Sequence, residues 1–139
     1  MARAVRPSVE VIGVQSAQSP AAHDSWRAGE MVERTNATTA EGVATGTAFE
    51  LPQRIMAELL TDFVLVEDRE LLAATRLMIE KTRTLVEPAG AAPLAAALNP
   101  TLAPRLRGRR VALICSGANI SPAQLAKALA SPSPRVRDA

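Results

Sequence analysis

Three short runs of apolar, mostly β-branched residues constrain this chain more than any other feature. They lie at 9–14, 63–66 and 111–115, and stretches with helical periodicity separate them. Strands joined through helices predict parallel pairing by right-handed crossovers. The fold class is therefore α/β, a three-layer open, mostly parallel sheet with helices on both faces. Apart from Glu10 the runs are apolar on both sides, as covered strands require. The run at 111–115 is the clearest of the three. A sheet this thin leaves its edges a liability unless other strands pair there.

The connecting segments carry helix punctuation. Ser19-Pro20 opens a helix that Gly29 stops, with Pro20 at the first position, where its missing N–H costs nothing. Residues 30–46 are rich in Thr, Ala and Gly and read as irregular, with one short helical turn around 40–44. Pro52 opens the next helix, whose Ile55, Met56, Leu59 and Leu60 make one apolar face. After the second strand Asp68 is the expected cap. Glu67 and Glu70 favour the positive end of that helix, and Lys81 and Arg83 its negative end. Leu71, Leu72, Thr75, Met78, Ile79 and Thr82 form the stripe toward the sheet. Pro88 and Gly90 interrupt the next segment. Residues 91–98 are helical again, with Pro93 tolerated in the first turn, until Asn99-Pro100 ends them. Ser121 and Gln124 form a capping box ahead of a last helix whose Leu125, Ala128 and Leu129 face inward. A loose tail spans 131–139.

The core has little bulk to draw on. Of 139 residues 27 are Ala, two Phe, one Trp and none Tyr, so burial must come from Leu, Val, Ile and close alanine packing. A single domain of this size disfavours a complete enzyme with two catalytic domains, although it permits part of one.

Sixteen basic residues, fourteen of them Arg, stand against fourteen acids. Arg105, Arg107, Arg109 and Arg110 cluster before the third run, where they read as a solvated linker rather than an anion site. No aromatics interleave with them, so nucleic acid is not an expected partner. The lone Cys115 suits a reducing compartment and reads as a buried strand residue. No signal peptide is expected, and no run approaches the ~18 apolar residues of a membrane span. The expected location is cytoplasmic, with no membrane partner.

Chemistry concentrates in two places. Ser116, Gly117, Ala118 and Asn119 follow the third run and precede a capped helix. Ligands of open α/β sheets collect beyond strand C-termini. There a serine hydroxyl can donate or accept a hydrogen bond, and Gly117 permits close backbone approach. The same residues also suit a plain strand-to-helix turn. Glu87 lies among apolar residues before a Gly/Ala-rich turn, either exposed at a cleft, paired inside it, or capping the following helix. Glu41-Gly42 gives a similar but weaker signal. His23, the only histidine, is expected as an exposed helix residue, which leaves no histidine-rich metal site. No phosphate-binding P-loop or Gly-x-Gly-x-x-Gly fingerprint occurs.

Four motifs in order then resemble a known family. Glu10-Val-Ile-Gly-Val14, Thr39-Ala-Glu-Gly-Val-Ala44, Leu85-Val-Glu-Pro-Ala-Gly-Ala-Ala92 and the stretch 111–119 are similar to the C-terminal part of serine/threonine dehydratases. Those are pyridoxal-phosphate enzymes of the tryptophan-synthase-β-like fold, type II, a group that also holds serine racemase. The resemblance implies that residues 6–130 are an incomplete portion of the large cofactor-binding domain. It implies that Ser116 meets the pyridine nitrogen of the cofactor, with Gly117 and Asn119 completing the motif. It further implies that Glu87 lines the cofactor pocket and Gly42 belongs to a loop bordering it. Ala118 stands where many members have a second Gly, in the form seen in biosynthetic threonine deaminases. A hydroxyl at the pyridine nitrogen tempers the electron sink and suits β-elimination of water from serine or threonine.

Two departures from the family pattern matter. Some relatives bind Mg²⁺ or Ca²⁺ through a glutamate and an aspartate at the positions of Gln15 and Ala21, with a carbonyl at Ser19. Without those carboxylates no metal is assigned. The family's cofactor lysine, in a Ser-x-Lys-x-Arg-like motif, and its Gly-rich phosphate loop are also missing. Lys81 and Lys127 stand in unrelated helices. The missing parts are expected upstream of Met1. No residue here is assigned as catalytic, and the chain alone is expected to be inactive. Pyridoxal 5′-phosphate is expected of the complete enzyme, with an amino-acid substrate, the N-terminal portion or a complementary chain as partner, and a homodimer as an option. The alternatives are a non-enzymatic interaction or small-molecule-binding protein, or a fragment of an amino-acid racemase of the same family.

Overall fold

The computed structural model describes residues 2–134. A short helix α1 (Ala2–Val5) leads into β1 (Ile12–Ser16) and α2 (Ala21–Ala28). A 3-10 turn at Glu41–Val43 precedes α3 (Glu50–Leu59), β2 (Asp62–Val66) and α4 (Asp68–Thr82). Three helices follow: α5 (Ala92–Leu98), α6 (Ala103–Leu106) and α7 (Pro122–Ala130).

β1 and β2 pair in parallel, Ile12 opposite Asp62 through Ser16 opposite Val66. The intervening α2 and α3 make the crossover that parallel strands require. Two bonds extend the pairing, from the Thr61 N–H to the Val11 carbonyl and from the Ala17 N–H to the Val66 carbonyl, both 2.8 Å. The first strand starts later than its apolar run because Val9 closes a turn onto the Arg6 carbonyl. α2 and α3 are tied by the Trp26 indole N–H on the Met56 carbonyl and the Gln53 amide on the Ala22 carbonyl.

The third expected strand is absent. Residues 110–121 hold no regular structure; Val111, Leu113, Ile114 and Cys115 are all exposed, Ile114 at 70%. A strand exists through the backbone of its neighbour. Among the described residues β1 pairs only with β2, and neither strand offers its ladder to 111–115. Cys115 is thus an exposed thiol rather than a buried strand residue.

The core is alanine-built, as the composition implies. Ala40, Ala74, Ala91, Ala92, Ala95 and Ala96 pack with Val66, Leu71, Val86 and Leu102. α4 lies against both α5 and α7. It buries Leu71, Ala74, Thr75 and Leu77, so Thr82 falls outside the stripe and stays exposed. Full burial of Leu71 contributes about 2–3 kcal/mol. Small side chains on α5 let the helices approach closely enough to exclude water without aromatic bulk.

Several end signals shift by a residue or two. Gly29 ends α2 at φ +74°, as expected. Pro52 stands third in α3 rather than first, still inside the turn whose N–H groups lack intrahelical partners. Glu67, not Asp68, is the cap of α4, and its N–H donates to Glu70 Oε2 at 2.7 Å. Ser121 and Gln124 form the expected capping box on α7. Ala128 is buried there, while Leu129 is exposed rather than inward. On α3, Ile55 and Leu59 are also exposed.

His23 is not exposed as expected. Its ring stands edge-on to Phe63, 5.6 Å between centroids, with Nδ1 2.9 Å from Asp24 Oδ1. The Arg cluster is partly neutralised: Arg105 pairs with Asp62, and Arg109 with Glu10. Residues 131–134 run along α4, where the Arg76 guanidinium donates to the Leu129 and Ser131 carbonyls and Ser133 Oγ donates to Glu80. The remainder of the expected tail, 135–139, lies outside the described residues. None of the described helices is long and apolar enough to cross a membrane.

Candidate functional site

The segment after α4 turns sharply through Val86, Glu87, Pro88, Ala89 and Gly90 before α5. Every residue of this turn but Glu87 is buried. Its shape follows from composition: Pro88 fixes one torsion, and small residues then allow the chain to enter α5 beneath its neighbours.

Gly117 lies directly on this turn. The Glu87 N–H donates to the Gly117 carbonyl at 3.2 Å. A Cβ added to Gly117 would overlap Glu87 Oε1 and stand 2.9 Å from its Cδ. A Cβ on Gly90 would stand 2.5 Å from the Gly117 carbonyl oxygen. Gly42 approaches from the 3-10 turn, where a Cβ would meet that of Ala89 at 2.7 Å and Glu87 Oε1 at 3.9 Å. Two segments distant in sequence, carrying Gly42 and Gly117, therefore meet the 86–90 turn at Glu87 and Ala89, and Gly90 of that turn packs against the Gly117 backbone.

Among the expected site residues, Gly42, Glu87 and Gly117 are brought together. Ser116 and Asn119 flank Gly117 in an exposed loop, and no hydrogen bond carries either side chain onto the Glu87 cluster. Glu87 itself forms no ion pair among the described residues. The residues present can serve a polar ligand at its edge: the Ser116 hydroxyl is exposed and open to a hydrogen bond, and the half-buried Glu87 carboxylate lies beside Gly117. Sequence reasoning missed Gly90 as a contact, treating it only as a helix breaker. The Gly-Ala-Ala that follows Pro88 was the available signal.

A second polar group, unrecognised in the sequence, supports the loop that carries Gly42. Asp68, first residue of α4, accepts from Ser16 Oγ at 2.7 Å and Thr38 Oγ1 at 2.5 Å on Oδ1. Its Oδ2 accepts from the Thr39 N–H at 2.7 Å and Thr39 Oγ1 at 3.0 Å. Burial alone would push the Asp68 carboxyl up, but the donors of Thr38, Thr39 and Ser16 outweigh it and hold the group below the usual carboxylate range. Gln18 braces the same corner, accepting from the Asp68 N–H at 2.9 Å. Gln124 of α7 donates to the Thr39 carbonyl at 3.0 Å, tying the helix after the Ser116 loop to the same peptide. The signal for this corner was the density of hydroxyls at Ser16, Thr38 and Thr39 beyond the strand ends.

The position that carries a metal ligand in some relatives is built differently here. Gln15 is buried, its Nε2 donating to Thr45 Oγ1 at 2.9 Å and its Oε1 accepting from the His23 N–H at 2.9 Å. The amide thus joins β1, α2 and the loop at 45, and one of its two polar atoms is a donor. Such a donor set does not fit a hard cation, which needs oxygen ligands.

Comparison with known proteins shows the family. The family model for pyridoxal-phosphate dependent enzymes matches residues 1–117. An L-threonine ammonia-lyase of Geobacter sulfurreducens is 39% identical over 119 residues, 85% of this chain and 29% of that protein. Among solved structures, a threonine deaminase of T.th. aligns with TM-score 0.78 and 34% identity, covering 86% of this chain and 40% of its own. A serine racemase of Dictyostelium discoideum aligns with TM-score 0.78 and 27% identity, covering 86% and 38%. The chain thus spans about a third of the length of the proteins it matches. The architecture is a part of the type II fold, and this chain belongs to the family of pyridoxal-phosphate dependent enzymes.

Proposed function

We propose that this chain is the C-terminal part, residues 6–130, of the large domain of an ammonia-lyase that converts L-threonine or L-serine to a 2-oxo acid and ammonia. The observation that carries the reading is the approach of Gly42 and Gly117 to Glu87, with Gly90 packed against Gly117. The seam between the two loops and the turn is, on this reading, where the flat ring of the cofactor lies. In this reading Gly42, Gly117 and Asn119 border the pocket and the Glu87 carboxylate lines it. The Ser116 hydroxyl accepts or donates a single hydrogen bond at the pyridine nitrogen. A hydroxyl there does not fix a positive charge on the ring as a carboxylate would, which favours loss of a β-leaving group over chemistry that needs a strong electron sink. Bound pyridoxal phosphate supplies that electron sink, which acidifies the α-proton of the amino acid.

The chain holds no lysine near this seam; Lys81 and Lys127 lie on α4 and α7. Activity therefore belongs to an assembly in which another polypeptide segment brings the cofactor lysine and the phosphate loop. The test is to combine the chain with such a segment from a relative and to measure visible absorbance after adding pyridoxal 5′-phosphate, then 2-oxo acid release. Absorbance and 2-oxobutyrate from threonine are expected only in the mixture. A mixture that forms a stable complex yet takes up no cofactor overturns the reading. A second reading, an amino-acid racemase part, draws on the serine racemase alignment, which matches the deaminase in TM-score. Release of D-serine in place of 2-oxo acid from the same mixture would select it.

A further inference from the structure

We propose that Asp68 is a positioning residue, whose carboxylate sets where Gly42 stands against Glu87 and Ala89. The proposal rests on the cofactor-pocket reading only for its functional consequence. Its structural part stands on Asp68 alone, a side chain that touches none of the pocket residues.

The geometry is that of a clasp. Asp68 accepts four hydrogen bonds, three of them from Thr38 and Thr39 and one from the buried Ser16 at the end of β1. One residue further along, Ala40 is buried in the alanine core and its N–H donates to Thr38 Oγ1 at 3.1 Å. The 3-10 turn begins at the next residue, with the Val43 N–H on the Ala40 carbonyl at 3.0 Å. Gly42 is at the middle of that turn and has no slack: its Cα lies so near Ala89 that even a methyl group would not fit. The Thr38–Thr39 peptide and Gly42 are thus three residues apart on a path held by the bonds of the Ala40 and Val43 N–H groups. The segment from 31 to 40 before it has no helix or strand to hold it. Other ties to this segment come from the 17–19 loop and from α7: Ser19 Oγ donates to Asn36 Oδ1 and accepts from the Thr38 N–H, the Ala37 N–H donates to the Gln18 carbonyl, and Gln124 Nε2 donates to the Thr39 carbonyl. Only Asp68 binds both Thr38 and Thr39 from the rigid start of the long helix that underlies the core.

Asp68→Asn preserves shape but sets an amide NH₂ against donors that cannot all reverse. The Thr39 N–H has a fixed direction, so at least one bond of the clasp is lost. Amide exchange on the full chain reads the result directly. Exchange at Ala40, Val43 and Ala44 is expected to rise about tenfold in Asp68→Asn, while Thr75 and Ala95 in the core helices keep their wild-type protection. A uniform rise at all five amides, or no rise at Ala40 and Val43, overturns the proposal. Should Asp68→Asn fail to fold, Thr38→Val removes one clasp bond with little change of volume and Thr38→Ser restores the hydroxyl. Because Thr38 Oγ1 also accepts from the Ala40 N–H, the rise is read there at Val43 and Ala44, and it is expected in the first variant and not in the second.

The functional consequence is read separately in the chain assembled with its complementing segment. Affinity for pyridoxal 5′-phosphate is expected to fall about fivefold in Asp68→Asn. Faster local exchange with unchanged cofactor affinity would overturn the positioning role. Failure of the wild-type assembly to take up cofactor would instead overturn the pocket reading, and the exchange result would still decide whether the clasp sets the loop.

Discussion

β2 and the run at 111–115 are similar sequence objects: four apolar residues after Asp62 in the first and five in the second, each bounded by turn-forming or charged residues. β2 is laddered along its length to β1 and buries Phe63 and Val66. Residues 111–115 have no ladder and lie exposed. The difference is not in the residues but in the company they keep. A strand is a property of a pair, and the chain supplies β2 with a partner and leaves 111–115 without one. The run is therefore a stretch without a backbone partner among the described residues, and its exposed apolar side chains are an aggregation liability.

That contrast can be broken most directly in the core. Leu71→Ala is expected to lower stability by about 3 kcal/mol, since Leu71 is fully buried between helices and sheet. Ile114→Ala, equal in chemistry, is expected to cost less than about 0.5 kcal/mol in the chain alone. Urea denaturation of both variants measures the gap. In the assembled protein the Ile114 change should become costly, and equal small effects there would mean that 111–115 never enters a sheet.

Gly117→Ala tests the seam between the two regions. The added methyl overlaps the Glu87 carboxylate, so that carboxylate must swing away from the position it holds beside Gly117. About tenfold weaker binding of pyridoxal 5′-phosphate in the assembly is expected, with a stability loss of ~1–2 kcal/mol. Titration of absorbance against cofactor concentration checks the first, and urea midpoints the second.

Acid provides a smaller perturbation of the well-ordered side. The His23 hydrogen bond and then Arg34 hold Asp24 below the ordinary carboxylate range, and Arg105 does the same for Asp62. Asp68 is held down by its hydroxyl and amide donors against its burial. For groups with folded values below their unfolded ones, the stabilisation is complete above the unfolded value and is lost as pH falls through the folded one. The urea midpoint should thus be flat from neutrality to about pH 5 and fall below about pH 4. Asp68→Asn should reduce that acid-dependent loss. Least of all, Arg105→Ala should change stability by less than about 1 kcal/mol, because its pair with Asp62 is half-exposed.

The sequence made the two paired strands, the helix start at Ser121, the stop at Gly29 and the alanine core legible because each is encoded within a few residues, while Pro20 precedes its helix by one residue rather than opening it. The positions of Gly42, Glu87 and Gly117 were legible through motif resemblance, and their convergence only through the fold. The third strand was misread since periodicity reports what a segment can do, not whether a neighbour exists. The position of His23 was misread because burial of a helix face depends on the aromatic that meets it, here Phe63 from a different element. The Asp68 clasp was invisible for a similar reason. Its donors come from residues 16, 38 and 39, and nothing local marks a helix-start carboxylate as an anchor for a loop thirty residues earlier.

The alanine packing of α4 and α5 has a consequence for how this molecule can change. A core of Leu and Phe can drift by trading one methylene for another, with loss at one site made good at the next. Where Ala74, Ala91, Ala92, Ala95 and Ala96 meet, no smaller side chain remains except glycine, which weakens the helices that carry it. Every other substitution adds volume to a space already closed. Variation at these positions has a floor and no room above it, so this interior can be conserved or broken but hardly remodelled.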